Sequence, residues 1–386
     1  MARALACLTV GLLACCAWNS ERDRTLPPSL SFVADFNVSH GTRFDTLGDE
    51  SFGGISGVAY DSASGNWIAL ADARSRSRFY ELSVVYDGGV LHVRPIGLTR
   101  FRDGAGEAFP ENVLDPEGIA ETPWGTLLIS TEADSRREPV EQAKLLEFDA
   151  SGHLLRRLEL PEKFVTEGWP PEKGVRHNLG FESLTLSPDG TKLFVGAEES
   201  LLQDGPQATF DRGALCRIVE YRVGDGEIAP FAEYAYPLGP VARPSELEDV
   251  DLDVGLVELV ALAGSKLLAL ERDFIRERAG SRRGRRAMSR ARIFLVDVGE
   301  ATDVSGLASL ENAGEFRPVR KELLLDFDDI VPKLSPAYPL LDNFEAMGLG
   351  PVLPDGGRSL LVVSDDNFSD RQRSAFLLFS LKAVEP

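Results

Sequence analysis

Phe181-Glu182-Ser183-Leu184-Thr185-Leu186, then Ser187-Pro188-Asp189-Gly190, then Leu193-Phe194-Val195-Gly196-Ala197-Glu198: this stretch decides the fold. Two short apolar runs flank a Pro-Asp-Gly turn, which reads as a β-hairpin. The first run carries an acid near its start and the second ends on one. The same arrangement occurs at Ile55–Tyr60 with Trp67–Asp72, where Ser56 takes the place of the first acid, and at Pro116–Ala120 with Leu127–Glu132. It occurs again at Val257–Leu262 with Leu267–Glu271, and at Phe344–Leu349 with Leu360–Asp365. The period of about 60 to 90 residues exceeds that of a WD40 blade. Third strands are expected at Phe79–Val85, Lys144–Phe148, Arg217–Val223 and Ile293–Val298.

Repeated sheets of this kind, set around an axis, make an all-β propeller of five or six blades. Little chain follows the fifth copy. Leu30–Val38, a spare apolar strand, is therefore expected to complete the last blade and close the ring. A β-sandwich or two separate β domains would also accommodate the short strands. Residues 30–386 are read as a single propeller domain.

The 386 residues carry 41 Lys+Arg against 61 Asp+Glu, a net charge of −20. Such a surface repels phosphate backbones, which argues against nucleic-acid binding. It would repel small polyanions too, unless a metal or a basic patch intervenes. Residues 276–292 are that kind of patch. They read as an arginine-rich loop inserted between two strands of the fourth copy, either a solvated loop or a dock for an anionic substrate.

The N-terminus reads as a leader. Residues 1–17 hold Arg3, a short apolar core and small residues, and residues 18–29 form a linker. Leu12-Leu13-Ala14-Cys15 resembles a lipobox, which would lipidate Cys15 and tether the protein to a membrane; ordinary cleavage after Ala17 is the alternative. The expected location is the periplasm, the outer membrane as a lipoprotein, or the exterior. A monomer is the expected state. Cys216 is the one cysteine beyond the leader, and in its apolar run it reads as a buried thiol.

Two columns of acids align across the copies. The first holds Glu117, Glu182, Glu258 and Glu345, with Ser56 in the first copy. The second holds Asp72, Glu132, Glu198, Glu271 and Asp365. In a propeller, equivalent positions converge on one ring, and facing carboxylates raise each other's pKa unless a cation, arginines or hydrogen bonds compensate. Hard oxygen ligands suit Ca²⁺. The four scattered histidines and single body cysteine argue against zinc or copper. The acids could equally be staples between neighbouring blades.

Arg74 and Arg272 follow the second column and are candidates to bind anionic oxygens or to neutralise the acids. Asn367 is a further substrate-binding candidate. His177, beside Glu182, is either a general base or a surface histidine. No G-x-S-x-G, H-E-x-x-H, Walker or EF-hand motif is present.

Taken in order, Phe52-Gly53-Gly54-Ile55-Ser56-Gly57-Val58, Asp115-Pro116-Glu117-Gly118-Ile119 and Asn178-Leu179-Gly180-Phe181-Glu182-Ser183-Leu184 resemble the phytase-like family. So do Leu270-Glu271-Arg272-Asp273 and Asn343-Phe344-Glu345 with Ser364-Asp365-Asp366-Asn367-Phe368. The resemblance spans roughly residues 50 to 380. It implies a propeller-type fold, bacterial export and phosphoester hydrolysis resting on Glu and Asp. Ser56 departs from the acidic column. The leading expectation is a Ca²⁺-dependent phosphoesterase acting on a small anionic ester, with Glu117, Glu182, His177 and Arg272 in catalytic roles. The alternatives are a non-enzymatic binding propeller of the cell envelope and a Ca²⁺-dependent lactonase or carboxylesterase.

Overall fold

The computed structural model describes residues 28–168, 170–247, 249–278 and 286–382. The leader and Cys15 lie outside them. Among the described residues the first strand is β1 (Ser29–Ser39), and one four-stranded antiparallel sheet after another follows. Blade one is β2 (Ile55–Asp61), β3 (Asn66–Ala71), β4 (Arg78–Asp87) and β5 (Val90–Arg100). Blade two is β6 (Pro116–Glu121), β7 (Leu127–Thr131), β8 (Lys144–Phe148) and β9 (Leu154–Arg157). Blade three is β10 (Phe181–Leu186), β11 (Lys192–Ala197), β12 (Ala214–Gly224) and β13 (Glu227–Leu238). Blade four is β14 (Val250–Ala261), β15 (Lys266–Glu277), β16 (Ala287–Asp297) and β17 (Arg320–Asp326). Blade five joins β18 (Asn343–Val352), β19 (Arg358–Asp365) and β20 (Arg373–Lys382) to β1 as its outer strand.

The fold is thus a five-bladed β-propeller. Each inner strand packs on the inner strands of both neighbours, around to β18 against β2. No sixth sheet exists among the described residues. The hairpin turn anticipated at Pro188-Asp189-Gly190 is built as its residues dictate: Asp189 Oδ1 accepts from Ser187 Oγ at 2.6 Å and from the Thr191 N–H at 3.1 Å. Gly190 supplies the left-handed φ of +69°.

One apolar cluster fills each gap between adjacent blades. Phe79, Ile119 and Phe148 join blades one and two, and Leu145, Leu184 and Tyr221 join two and three. Ile218, Leu256 and Leu259 lie between three and four, Val257, Met347 and Phe379 between four and five, and Val58, Ala346 and Phe376 between five and one. Hydrophobic burial therefore holds blade to blade as well as strand to strand. Near the axis the backbones touch. A Cβ added at Gly57 would stand 2.7 Å from the Glu117 carbonyl, and one at Gly118 2.6 Å from that of Glu182.

Two features depart from expectation. Arg276–Arg292 is not a loop as a whole: β15 and β16 run on through it, with Arg276 opposite Ala287, and residues 279–285 lie outside the described residues. The chain joining β16 to β17 also folds back onto blade three. Its Val304 and Val319 N–H groups donate to the carbonyls of Glu233 and Ala235. Beneath it, the fully buried Arg217 makes two bonds to Asp204 at 2.6 and 2.9 Å and one to Glu233 at 2.7 Å. It also donates to the Leu307 carbonyl of the connection at 3.0 Å.

Candidate functional site

The site is made by a β-bulge repeated in every blade. Near the start of the inner strand, or midway along it in blade four, its pairing with the second strand skips a residue. The skipped residues are Ser56, Glu182, Val257 and Glu345, with Glu117 and Gly118 skipped together in blade two. Glu117, Glu182 and Glu345 line the cavity at this end of the propeller. The second-strand partners are Ala71, Thr131, Ala197, Glu271 and Ser364. The residues that follow them, Asp72, Glu132, Glu198, Arg272 and Asp365, also line the cavity.

The sequence alignment of the fourth copy is therefore one residue out. The structural equivalents are Val257 and Arg272 rather than Glu258 and Glu271. A slip of one residue along a strand sends every side chain to the other face. Neither Glu258 nor Glu271 lines the cavity. Glu258 is buried and accepts the N–H groups of Leu184 at 3.3 Å and Leu259 at 2.9 Å, so it ties blade three to blade four. Glu271 accepts the Tyr236 hydroxyl at 2.7 Å and pairs with Lys321. Blade four thus contributes an apolar residue and a cation where blades two, three and five contribute two carboxylates each, and blade one a serine and a carboxylate.

The cavity has a volume of about 1420 Å³. Its lining carboxylates, with Asp115 beside them, form two tight groups that share Glu117. In each group, Asp72 with Asp115 and Glu117, and Glu117 with Glu132 and Glu182, one oxygen per residue lies within 4.8 Å of the others. Burial, followed by the charge of Glu182, pushes the Glu117 pKa well up. Burial, then Glu198, does the same to Glu132 and Glu182; burial, then Asp115, raises Asp72; and burial, then Glu345, raises Asp365. Glu198 is pushed up to about 8, again chiefly by burial, although Arg272 opposes the shift.

The two arginines are placed differently. Arg272 is nine-tenths buried, and its Nη2 lies 3.0 Å from Glu198 and 3.2 Å from Glu345. Arg74 is half-exposed. Its Nε donates to Asp115 Oδ1 at 2.8 Å and its Nη2 to Asn178 Oδ1 at 2.6 Å, with Glu132 Oε2 3.8 Å away. Arg272 touches neither carboxylate group, so Arg74 is the cation in contact with them among the described residues. Asp72 Oδ1 is shut off from solvent and has no hydrogen-bond partner among those residues. Buried oxygens, one orphaned lone pair and an excess of negative charge fit a hard divalent cation such as Ca²⁺.

The remaining candidates fall at the wall. His177 Nδ1 lies 3.3 Å from Asp134, and burial with the nearby Arg136 lowers its pKa. Asn367, in a left-handed conformation at φ 47°, donates its N–H to Asp365 at 2.7 Å. Asp366 is turned away and accepts the Gly54 N–H at 2.8 Å. Cys216 is buried and its thiol donates to the Glu198 carbonyl at 3.4 Å. Sequence reasoning did not pick out Asp115 and Asn178 as site residues. Both stand just ahead of an acidic bulge, and that position was the available signal. Arg276, Arg286 and Arg290 of the arginine-rich segment line the cavity too.

A family model described as "Phytase-like: Esterase-like activity of phytase" matches residues 50–368, and the chain belongs to that family. A solved structure of a gluconolactonase from Xanthomonas campestris is 10% identical, with 93% of this chain and 98% of that one covered and a TM-score of 0.32. No curated protein matches the chain.

Proposed function

We propose that this phytase-like propeller is an exported, Ca²⁺-dependent hydrolase of phosphoric esters. One observation carries the reading: the cavity with the carboxylate floor has arginine walls. Arg136, Arg276, Arg286, Arg290, Arg371 and Arg373 join Arg74 and Arg272 there, in a protein of net charge −20. A concave site that gathers cations above buried carboxylates suits an anionic substrate brought to a metal.

Asp72, Asp115, Glu117, Glu132 and Glu182 would hold the ion. Ca²⁺ would supply the charge that neutralises an ester phosphate and acidifies water beside it. Arg272, fixed by Glu198 and Glu345, keeps part of the ring neutral. Arg74 and the wall arginines would bind and orient the non-bridging phosphate oxygens, with Asn367 beside them. His177, its pKa lowered by burial and by Arg136, would act at the wall as a proton acceptor. Residues 1–17 support export, and Cys15 a lipid tether.

The test is turnover of p-nitrophenyl phosphate, bis(p-nitrophenyl) phosphate and p-nitrophenyl acetate, with EDTA or added Ca²⁺. Phosphate-selective turnover that EDTA removes, Ca²⁺ restores and Glu182→Gln abolishes is expected. Turnover of the acetate alone would put a carboxylesterase or lactonase in its place. No turnover, with melting unchanged by EDTA, would leave a binding propeller.

A further inference from the structure

We infer that Arg74 is the exchangeable counter-ion of the carboxylate floor: its guanidinium stands in for the metal, and metal binding releases it to grip the anionic substrate. This rests on the Ca²⁺ reading above and assigns one residue a role within it.

The geometry separates two kinds of arginine. Arg272 is enclosed and bonded to Glu198 and Glu345, neither of which belongs to the two tight carboxylate groups. It can stay in place whether or not a cation is present. Arg74 contacts both groups: Asp115 of the first at 2.8 Å and Glu132 of the second at 3.8 Å. An ion ligated by Asp115 would compete with Arg74 for the charge of that carboxylate, and two cations that close repel one another.

Arg74 also has somewhere to go. Its side chain is 43% exposed. It stands on the wall between the main cavity and a second hollow of about 680 Å³, and Asp72 and Asn367 border both. Its backbone is pinned, because the Asn112 N–H donates to the Arg74 carbonyl at 2.7 Å. The side chain can therefore swing while its root stays fixed. Once displaced, it is a mobile cation at the edge of a metal site, the placement a phosphoryl oxygen requires.

Competition of this kind makes an unusual prediction: removing the arginine should tighten metal binding. A partly exposed guanidinium–carboxylate contact is worth about 1 kcal/mol, so Arg74→Ala should bind Ca²⁺ about five- to tenfold more tightly. Calorimetric Ca²⁺ titrations and thermal melts of the full chain read this directly. Arg74→Ala should melt below the wild type in EDTA and gain more from Ca²⁺. Arg74→Lys, which keeps the charge, should stay near the wild type. Arg76→Ala is the control. It deletes an equal charge two residues away, on a side chain that pairs with Glu50, and should leave Ca²⁺ affinity unchanged. Inorganic phosphate should bind the wild type more tightly when Ca²⁺ is present, and Arg74→Ala should lose part of that gain.

Ca²⁺ affinity that is unchanged or weaker in a folded Arg74→Ala protein would overturn the exchange, as would equal tightening in Arg76→Ala. If Arg74→Ala does not fold, Arg74→Gln carries the same comparison. A wild type that binds no Ca²⁺ would sink the metal reading and this inference together; one that binds it without tightening on substitution sinks only this inference.

Discussion

Stability should fall as pH rises when no metal is present, and Glu198 sets the scale. The residue is 2% exposed, and its pKa climbs from the usual 4.5 to about 8. A carboxyl whose pKa is higher folded than unfolded favours the folded state while protonated. That advantage is complete below about pH 4.5 and is lost as the pH rises through about 8. At 1.36 kcal/mol per pH unit the loss is at most about 5 kcal/mol. For a chain longer than 250 residues, about 2 °C per kcal/mol is a generous conversion, so the midpoint should drop by up to ~10 °C. The assay is thermal melting in EDTA at pH 5, 7 and 9, for the wild type and Glu198→Gln. Glutamine can still accept the Arg272 bond but holds no proton to lose. A wild-type midpoint flat from pH 5 to 9 would refute the reasoning, and so would an equal drop in Glu198→Gln.

Other substitutions test the scaffold and the floor. Glu258→Ala leaves the buried Leu184 and Leu259 N–H groups unpaired and should cost about 2–4 kcal/mol in urea denaturation. Glu258→Gln should cost far less and leave Ca²⁺ binding intact. Arg217→Ala leaves buried Asp204 without a cation and Glu233 with Lys163 alone, and should cost about 3–5 kcal/mol by the same measurement, with the cavity unaffected. Ca²⁺ should raise the melting midpoint more at pH 8 than at pH 5, because the raised pKa values of Glu117, Glu132 and Glu182 keep protons on the floor in acid. An increment that is larger at pH 5 would contradict that.

The architecture was legible because each hairpin carries its own signal. Apolar alternation and turn residues such as Pro188-Asp189-Gly190 are local, and five similar hairpins are hard to arrange except around an axis. Four things were hidden. A bulge leaves no mark on the residues that form it, so nothing in Val257-Glu258-Leu259 says which side chain is skipped by the ladder. The acid was the natural choice for the column, and the structure chose the valine. The converse error hid Arg272, read as a companion of the column when it occupies the column itself. Asp115 was missed because it precedes its strand, where period-two patterning does not reach. The arginine-rich segment looked like a loop because its charge outweighed the strand propensity of the residues around it.

The closing of blade five has a consequence for how the molecule comes together. Ser29 pairs with Lys382, so the earliest strand and the latest are neighbours in one sheet. Few contacts in the chain span a longer loop, and such pairings form late and slowly. β1 has to wait, its edge unpaired, until β20 has emerged. A folding block anywhere downstream would leave that edge free to recruit another chain.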